Sequence, residues 1–138
     1  MKTLIKSFLI LMLLFSPMVS QAQDTAIVRT VNPLFPNYEI KNDKEGIGYI
    51  EINKDTLIKL GKLSHIDKNI QIISFIMSNI KDGFFVEVFS KSNLFSDDII
   101  MLIYEASIGS PLYIEYIKAI NSEGEKINIG SLKCIFIE

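Results

Sequence analysis

From Asn69 onward the chain repeats one pattern: short runs rich in isoleucine and aromatic residues, each broken by Gly, Asp, Asn or Ser. Side chains alternate between the two faces of a strand, so such runs build half-buried strands and leave little room for a helical bundle. Ile70 and Ile72 share one parity, whereas Ile73, Phe75 and Met77 share the other. The switch predicts either a β-bulge near Ile72-Ile73 or a strand buried on both faces. Asn79-Ile80-Lys81-Asp82-Gly83 reads as a hairpin turn, with Asp82-Gly83 taking the positive-φ positions. Phe84 to Ser90 is its return strand, closed by Lys91-Ser92-Asn93.

The same logic makes Leu112 to Asn121 a long strand. Leu112 and Ile114 share one parity and Ile117 and Ala119 the other, which predicts a second bulge at Glu115-Tyr116. Ser122-Glu123-Gly124-Glu125 is a turn, followed by closing strands at Lys126 to Ile129 and Leu132 to Ile137. Upstream, Tyr49-Ile50-Glu51-Ile52 is a short strand, after which Asn53 or Asp55 caps a short helix through Leu57, Ile58 and Leu60, ended by Gly61. Ser96-Asp97-Asp98 precedes apolar residues at helical spacing and predicts a helix from Asp97 to Ala106, stopped by Gly109-Ser110-Pro111. The expected fold is mainly β: an Ig-like β-sandwich or a partly open barrel of about six or seven short strands, with one or two short helices.

The N-terminus carries an address. Lys2 and Lys6 form a basic start, Phe8 to Phe15 is unbroken apolar sequence, and Ser20-Gln21-Ala22 is a small-residue exit. Together these define a cleavable signal peptide over residues 1–22. A membrane-spanning helix needs about 20 apolar residues, and Lys6 and Pro17 bracket too few. No Cys lies near the cut, so the mature protein is expected in the periplasm or outside the cell without a stable membrane anchor. Residues 23–47, with Asn32-Pro33 and Pro36-Asn37, form a partly irregular lead-in with an edge strand at Ile27 to Val31, and residues 48–138 form the β domain.

Chemistry-bearing patterns are sparse. One Cys and one His cannot supply a disulfide framework or an ordinary structural zinc site. A net charge of -2 gives no basic stripe for nucleic acid. His65 is the one available catalytic base of its type, yet Ser64-His65-Ile66-Asp67 are consecutive residues that do not converge on one point, so His65 is a turn histidine. Asp97-Asp98 read as helix-dipole partners rather than a catalytic pair. Cys134 alternates with Leu132 and Phe136, as a buried hydrophobe would, with Lys133 on the opposite face. No phosphate-cradling glycine loop, calcium loop or Gly-x-Ser-x-Gly elbow occurs. These readings predict a protein that is not an enzyme, with no catalytic residue, cofactor or metal. Tyr113 and Tyr116, on the long strand Leu112 to Asn121, are the interface candidates, since tyrosine joins a large apolar area to a polar tip.

Three segments carry a resemblance. They are Gly48-Tyr49-Ile50-Glu51-Ile52-Asn53-Lys54-Asp55-Thr56-Leu57, then Ile70-Gln71-Ile72-Ile73-Ser74-Phe75-Ile76-Met77-Ser78, and then Gly109 with Leu112-Tyr113-Ile114-Glu115-Tyr116-Ile117-Lys118-Ala119, Glu123-Gly124 and the closing strand. Residues 48–138 thereby resemble the C-terminal domain of GldM, the periplasmic M subunit of the gliding-motility and type IX secretion motor. The Gly-Pro that often precedes the family's acidic-glycine turn is replaced here by Asn121-Ser122. The resemblance implies a protein-interaction module of a Gram-negative envelope; the expected partner is an envelope protein, or a second copy of the chain. The rival expectation is a secreted ligand-binding or inhibitor-like β protein unrelated to secretion.

Overall fold

The computed structural model describes residues Val31 to Glu138. The signal segment 1–22 and the edge strand expected at Ile27 to Val31 lie outside the described residues, apart from Val31, which is an exposed loop residue. The elements are β1 (Lys41–Asn42), β2 (Gly48–Asn53), α1 (Lys54–Leu60), β3 (Gln71–Lys81), β4 (Phe84–Ser90), α2 (Asp97–Glu105), β5 (Pro111–Ile120) and β6 (Lys126–Ile137). All described strands join one six-stranded sheet in the order β1-β2-β6-β5-β3-β4. Neighbours run antiparallel except β2 and β6, which pair in parallel.

The protein is therefore mainly β with two short helices, and the sheet is open rather than closed into a barrel. The second layer that a sandwich would build from strands is built here from helices and loops. The connections explain why. The pairing makes β2 parallel to β3 and β4 parallel to β5, so both helices lie in crossovers between parallel strands. Such crossovers are right-handed in nearly all proteins. The first moves one way across the sheet and the second moves back with strand direction reversed, so the same hand puts both helices on one face. The helices touch there, with Lys54 Nζ donating to the Tyr104 carbonyl at 3.0 Å.

Local signals set the helices. Asn53 Oδ1 accepts from the amides of Asp55 and Thr56, and Gly61 closes α1 at φ 65. Asn53, not Asp55, is thus the cap. Ser96 accepts from the Ile99 amide to start α2, which ends at Glu105 with Ala106 as its cap. Gly109-Ser110-Pro111 stands beyond that end, and Pro111 opens β5, a position where its missing N–H matters little.

One face of the sheet supplies the core. Ile50 and Ile52 of β2, Cys134 and Phe136 of β6, Leu112 and Ile114 of β5, and Phe75 and Met77 of β3 are buried against Leu57 of α1 and Ile99, Leu102 and Ile103 of α2. Both parity switches are bulges. The β3–β5 register slips between Ile72 and Ser74 and again before Ile76, and the β5–β6 register slips between Ile114 and Ile117. Glu115-Tyr116 is the second bulge, with Tyr116 at φ 51. Each bulge returns the following apolar residues to the core face, which is why Ile72 and Phe75, and Ile114 and Ile117, are all buried despite opposite parity.

Two expected boundaries are corrected. Lys126 to Ile129 and Leu132 to Ile137 are one strand, β6, because Gly130 at φ 99 takes up a bulge opposite Ile117 and pairing resumes beyond it. The hairpin turn contains only Asp82 and Gly83, at φ 52 and 80, while Asn79, Ile80 and Lys81 continue β3. Asn79 stays in the strand because its side chain is buried beneath α2, where Nδ2 donates to the Leu102 carbonyl at 3.3 Å.

Candidate functional site

The helices cover one sheet face, so among the described residues the other, apart from the buried Ser78, is the face open to a partner or ligand. Its residues follow from the register: Tyr49 and Glu51 on β2, Lys133 and Ile135 on β6, Tyr113 and Glu115 on β5, Ile76, Ser78 and Ile80 on β3, and Phe85, Glu87 and Phe89 on β4. The face divides into a charged half and an apolar half, and Tyr113 stands between them, opposite Lys133 on one side and Ser78 on the other.

The charged half is built on β1, β2 and β6. Asp43 Oδ1 accepts from the amides of Glu45 and Ile47, both at 2.9 Å, and Oδ2 accepts from Lys133 Nζ at 2.9 Å. The Lys133 ammonium and these two amides hold the Asp43 carboxyl below the usual aspartate range, and the same hydrogen bond raises the Lys133 pKa. Lys133 Nζ also stands 5.9 Å from the centre of the Tyr49 ring. Lys41 bonds Glu51 at 3.0 Å across the β1–β2 pair. Tyr113, Glu115, Ser131 and Lys133 line one side of a cleft of about 490 Å³, with Asn32, Ile40, Ile47 and Gly48 among the residues on its other walls.

The apolar half is built on the β3–β4 hairpin. Ile76 faces Phe89 and Ile80 faces Phe85 across the strand pair. Phe85 and Phe89 are 57% and 56% exposed, and Phe84, at the turn, is 74% exposed. Lys81 bonds Glu105 at 2.6 Å, whereas Glu87 and Lys91 make no ion pair among the described residues.

The structure thus separates the two interface candidates. Tyr113 is half-buried in the cleft wall; Tyr116 is 64% exposed on its bulge and does not line the cleft. The strand pattern of Phe84 to Ser90 does not by itself single out the exposed phenylalanines as site residues. A signal was present, since Phe84-Phe85 puts one aromatic on each face of a strand and only one face can meet the core.

Other chemistry-bearing residues stand apart. His65 Nδ1 accepts from the Asp67 amide at 3.0 Å within a turn. Asp97 and Asp98 occupy the first turn of α2. Cys134 lies fully buried between Leu132 and Phe136, and burial pushes its thiol pKa up to about 12, far from thiolate reactivity. Among the described residues no three His, Cys, Asp or Glu side chains gather as metal ligands, and no helix is long and apolar enough to cross a membrane. No family model and no curated protein matches the chain.

Proposed function

We propose that the protein is a non-enzymatic protein-interaction module of the bacterial envelope, exported by residues 1–22 to the periplasm or beyond. The observation that carries this reading is the sheet face left bare by both helices, with Phe85, Phe89 and Ile80 exposed beside Tyr113. Exposed apolar surface gathered in one place on a small domain marks a docking region, and tyrosine and phenylalanine are enriched at such contacts. The basic and apolar N-terminal segments support export. The resemblance of residues 48–138 to the GldM C-terminal domain supports a partner within a gliding-motility or type IX secretion assembly.

Affinity capture from envelope extract tests the reading. The wild-type mature protein recovers specific envelope proteins, and Tyr113→Ala combined with Tyr116→Ala weakens that recovery by about 2 kcal/mol or more while the fold is retained. Undiminished recovery by the folded double variant removes these tyrosines from the interface, and no specific recovery by the wild type removes the reading. A second reading, a secreted ligand-binding protein, is favoured by the cleft itself, whose volume lies in the range of small-molecule sites. Thermal stabilisation by a small molecule, abolished by Tyr113→Ala, would select it.

A further inference from the structure

We propose that two copies of this chain join edge to edge through β4, antiparallel and centred on Phe89. This rests on the interaction-module reading and deepens it by naming a second copy as the partner of the sheet's open edge. β4 ends the strand order, so among the described residues its outer edge has no strand beside it. The hairpin fixes which groups face that edge. A two-residue turn makes its flanking residues, Lys81 and Phe84, a hydrogen-bonded pair, and the alternation of antiparallel ladders follows without slippage to Phe75 and Ser90. Phe84, Val86, Val88 and Ser90 therefore bond inward to β3, while Phe85, Glu87 and Phe89 aim their N–H and C=O groups outward.

Natural edge strands are commonly blunted by lysine, proline, a bulge or brevity. β4 reads Phe84-Phe85-Val86-Glu87-Val88-Phe89-Ser90, seven residues in unbroken register with no lysine, proline or bulge and with Glu87 as its one charge.

Charge selects the occupant and the register. In a symmetric antiparallel pair, residues on one face meet residues on the same face, so the axis passes through a residue rather than between two. Centring on Glu87 would set two carboxylates directly opposite each other. Centring on Phe89 pairs the C-terminal part of β4, Glu87 to Ser90, with its copy and sets each Glu87 opposite Lys91, the residue just past the strand's end, twice, with Phe89 against Phe89 between them. Glu87 and Lys91 make no ion pair among the described residues, and this register gives both a partner. Opposite charges directly across an antiparallel pair stabilise it, and like charges destabilise it.

Sedimentation of the mature protein across a concentration series, with circular dichroism to confirm the fold of each variant, tests the pairing. The wild type dimerises. Glu87→Lys and Lys91→Glu each weaken the dimer about tenfold or more, the two single variants mixed together form a heterodimer, and the double variant Glu87→Lys/Lys91→Glu recovers wild-type dimerisation. Phe89→Cys closes a covalent dimer under mild oxidation, since facing Cα atoms in a hydrogen-bonded pair lie about 5.5 Å apart, within disulfide reach. A dimer indifferent to both single charge changes, or one not rescued by the double variant, overturns the register. A wild type that stays monomeric overturns the self-pairing altogether; if such a monomer still captures envelope proteins, the interaction-module reading stands without it.

Discussion

The two edges of the sheet are finished in opposite ways. At one edge, β1 is two residues long, and the Lys41–Glu51 and Lys133–Asp43 pairs fill its surroundings with charge. A strand of that length offers another chain almost nothing to pair with. At the other edge, β4 offers seven residues in straight register, three of them exposed phenylalanines. Protection at one side of the same sheet makes the openness of the other a feature to explain. The bare face shows the same division, ionic beside β1 and apolar beside β4.

The sharpest way to break this comparison is to truncate the two faces of the open hairpin separately. Phe75 is buried beneath it, its ring 6.2 Å from that of Phe95 in an edge-on packing. Phe75→Ala is expected to cost about 3–5 kcal/mol in urea unfolding, as buried aromatic truncations do. Phe89→Ala, made on the bare side of the same hairpin and measured at concentrations that keep the chain monomeric, should stay within about 0.5 kcal/mol of wild type. A large loss for Phe89→Ala would mean that the apolar half serves the monomer's own fold.

A smaller effect is expected at Cys134, where β6 meets β2 and β5 at mid-sheet. Cys134→Ser places a hydroxyl at a fully buried apolar position and should cost on the order of 1–3 kcal/mol. The native thiol should resist labelling until the protein unfolds; rapid labelling would place this strand nearer to solvent than described.

Tyr116 tests whether function outweighs comfort at the β5 bulge. Its positive φ is a conformation that glycine adopts without strain, so Tyr116→Gly should stabilise the monomer by about 1 kcal/mol. Stabilisation accompanied by weaker envelope capture would show that the tyrosine is kept for its contacts.

The smallest effect belongs to the protected edge. The Asp43 carboxyl is held below its ordinary value of 3.8, so the charged form is favoured by folding. Its contribution is complete above that value and is lost as pH falls through the lowered pKa. An NMR titration of the Ile47 amide, which donates to this carboxylate, should report an apparent pKa below 3.8 and lose that transition in Asp43→Asn. A midpoint at or above 3.8 would mean that Lys133 does not hold the carboxylate in solution.

Much of the fold was legible residue by residue. The caps at Asn53, Gly61 and Ser96, the Asp82-Gly83 turn and both bulges follow from local chemistry, because each is decided by residues within a few positions of one another. Cys134 was legible for the same reason, through its alternation with Leu132 and Phe136. Local pattern failed where distant pairing decided the outcome. Asn79 resembles a turn residue until α2 lies over it, and the break near Gly130 separates two strands until β5 holds them as one.

Alternation by itself determined that each strand has one buried face, and short-range signals determined where strands and helices begin and end. It could not determine what lies over that face or which strand ends the sheet. Those depended on β2 pairing with β6 from the far end of the domain, and on two crossovers of one hand that put both helices on the same side. Their consequence is that Phe85 and Phe89, apolar residues in an ordinary-looking strand, stand exposed, because the contacts that would have buried them are set by chain topology rather than by their own sequence neighbours.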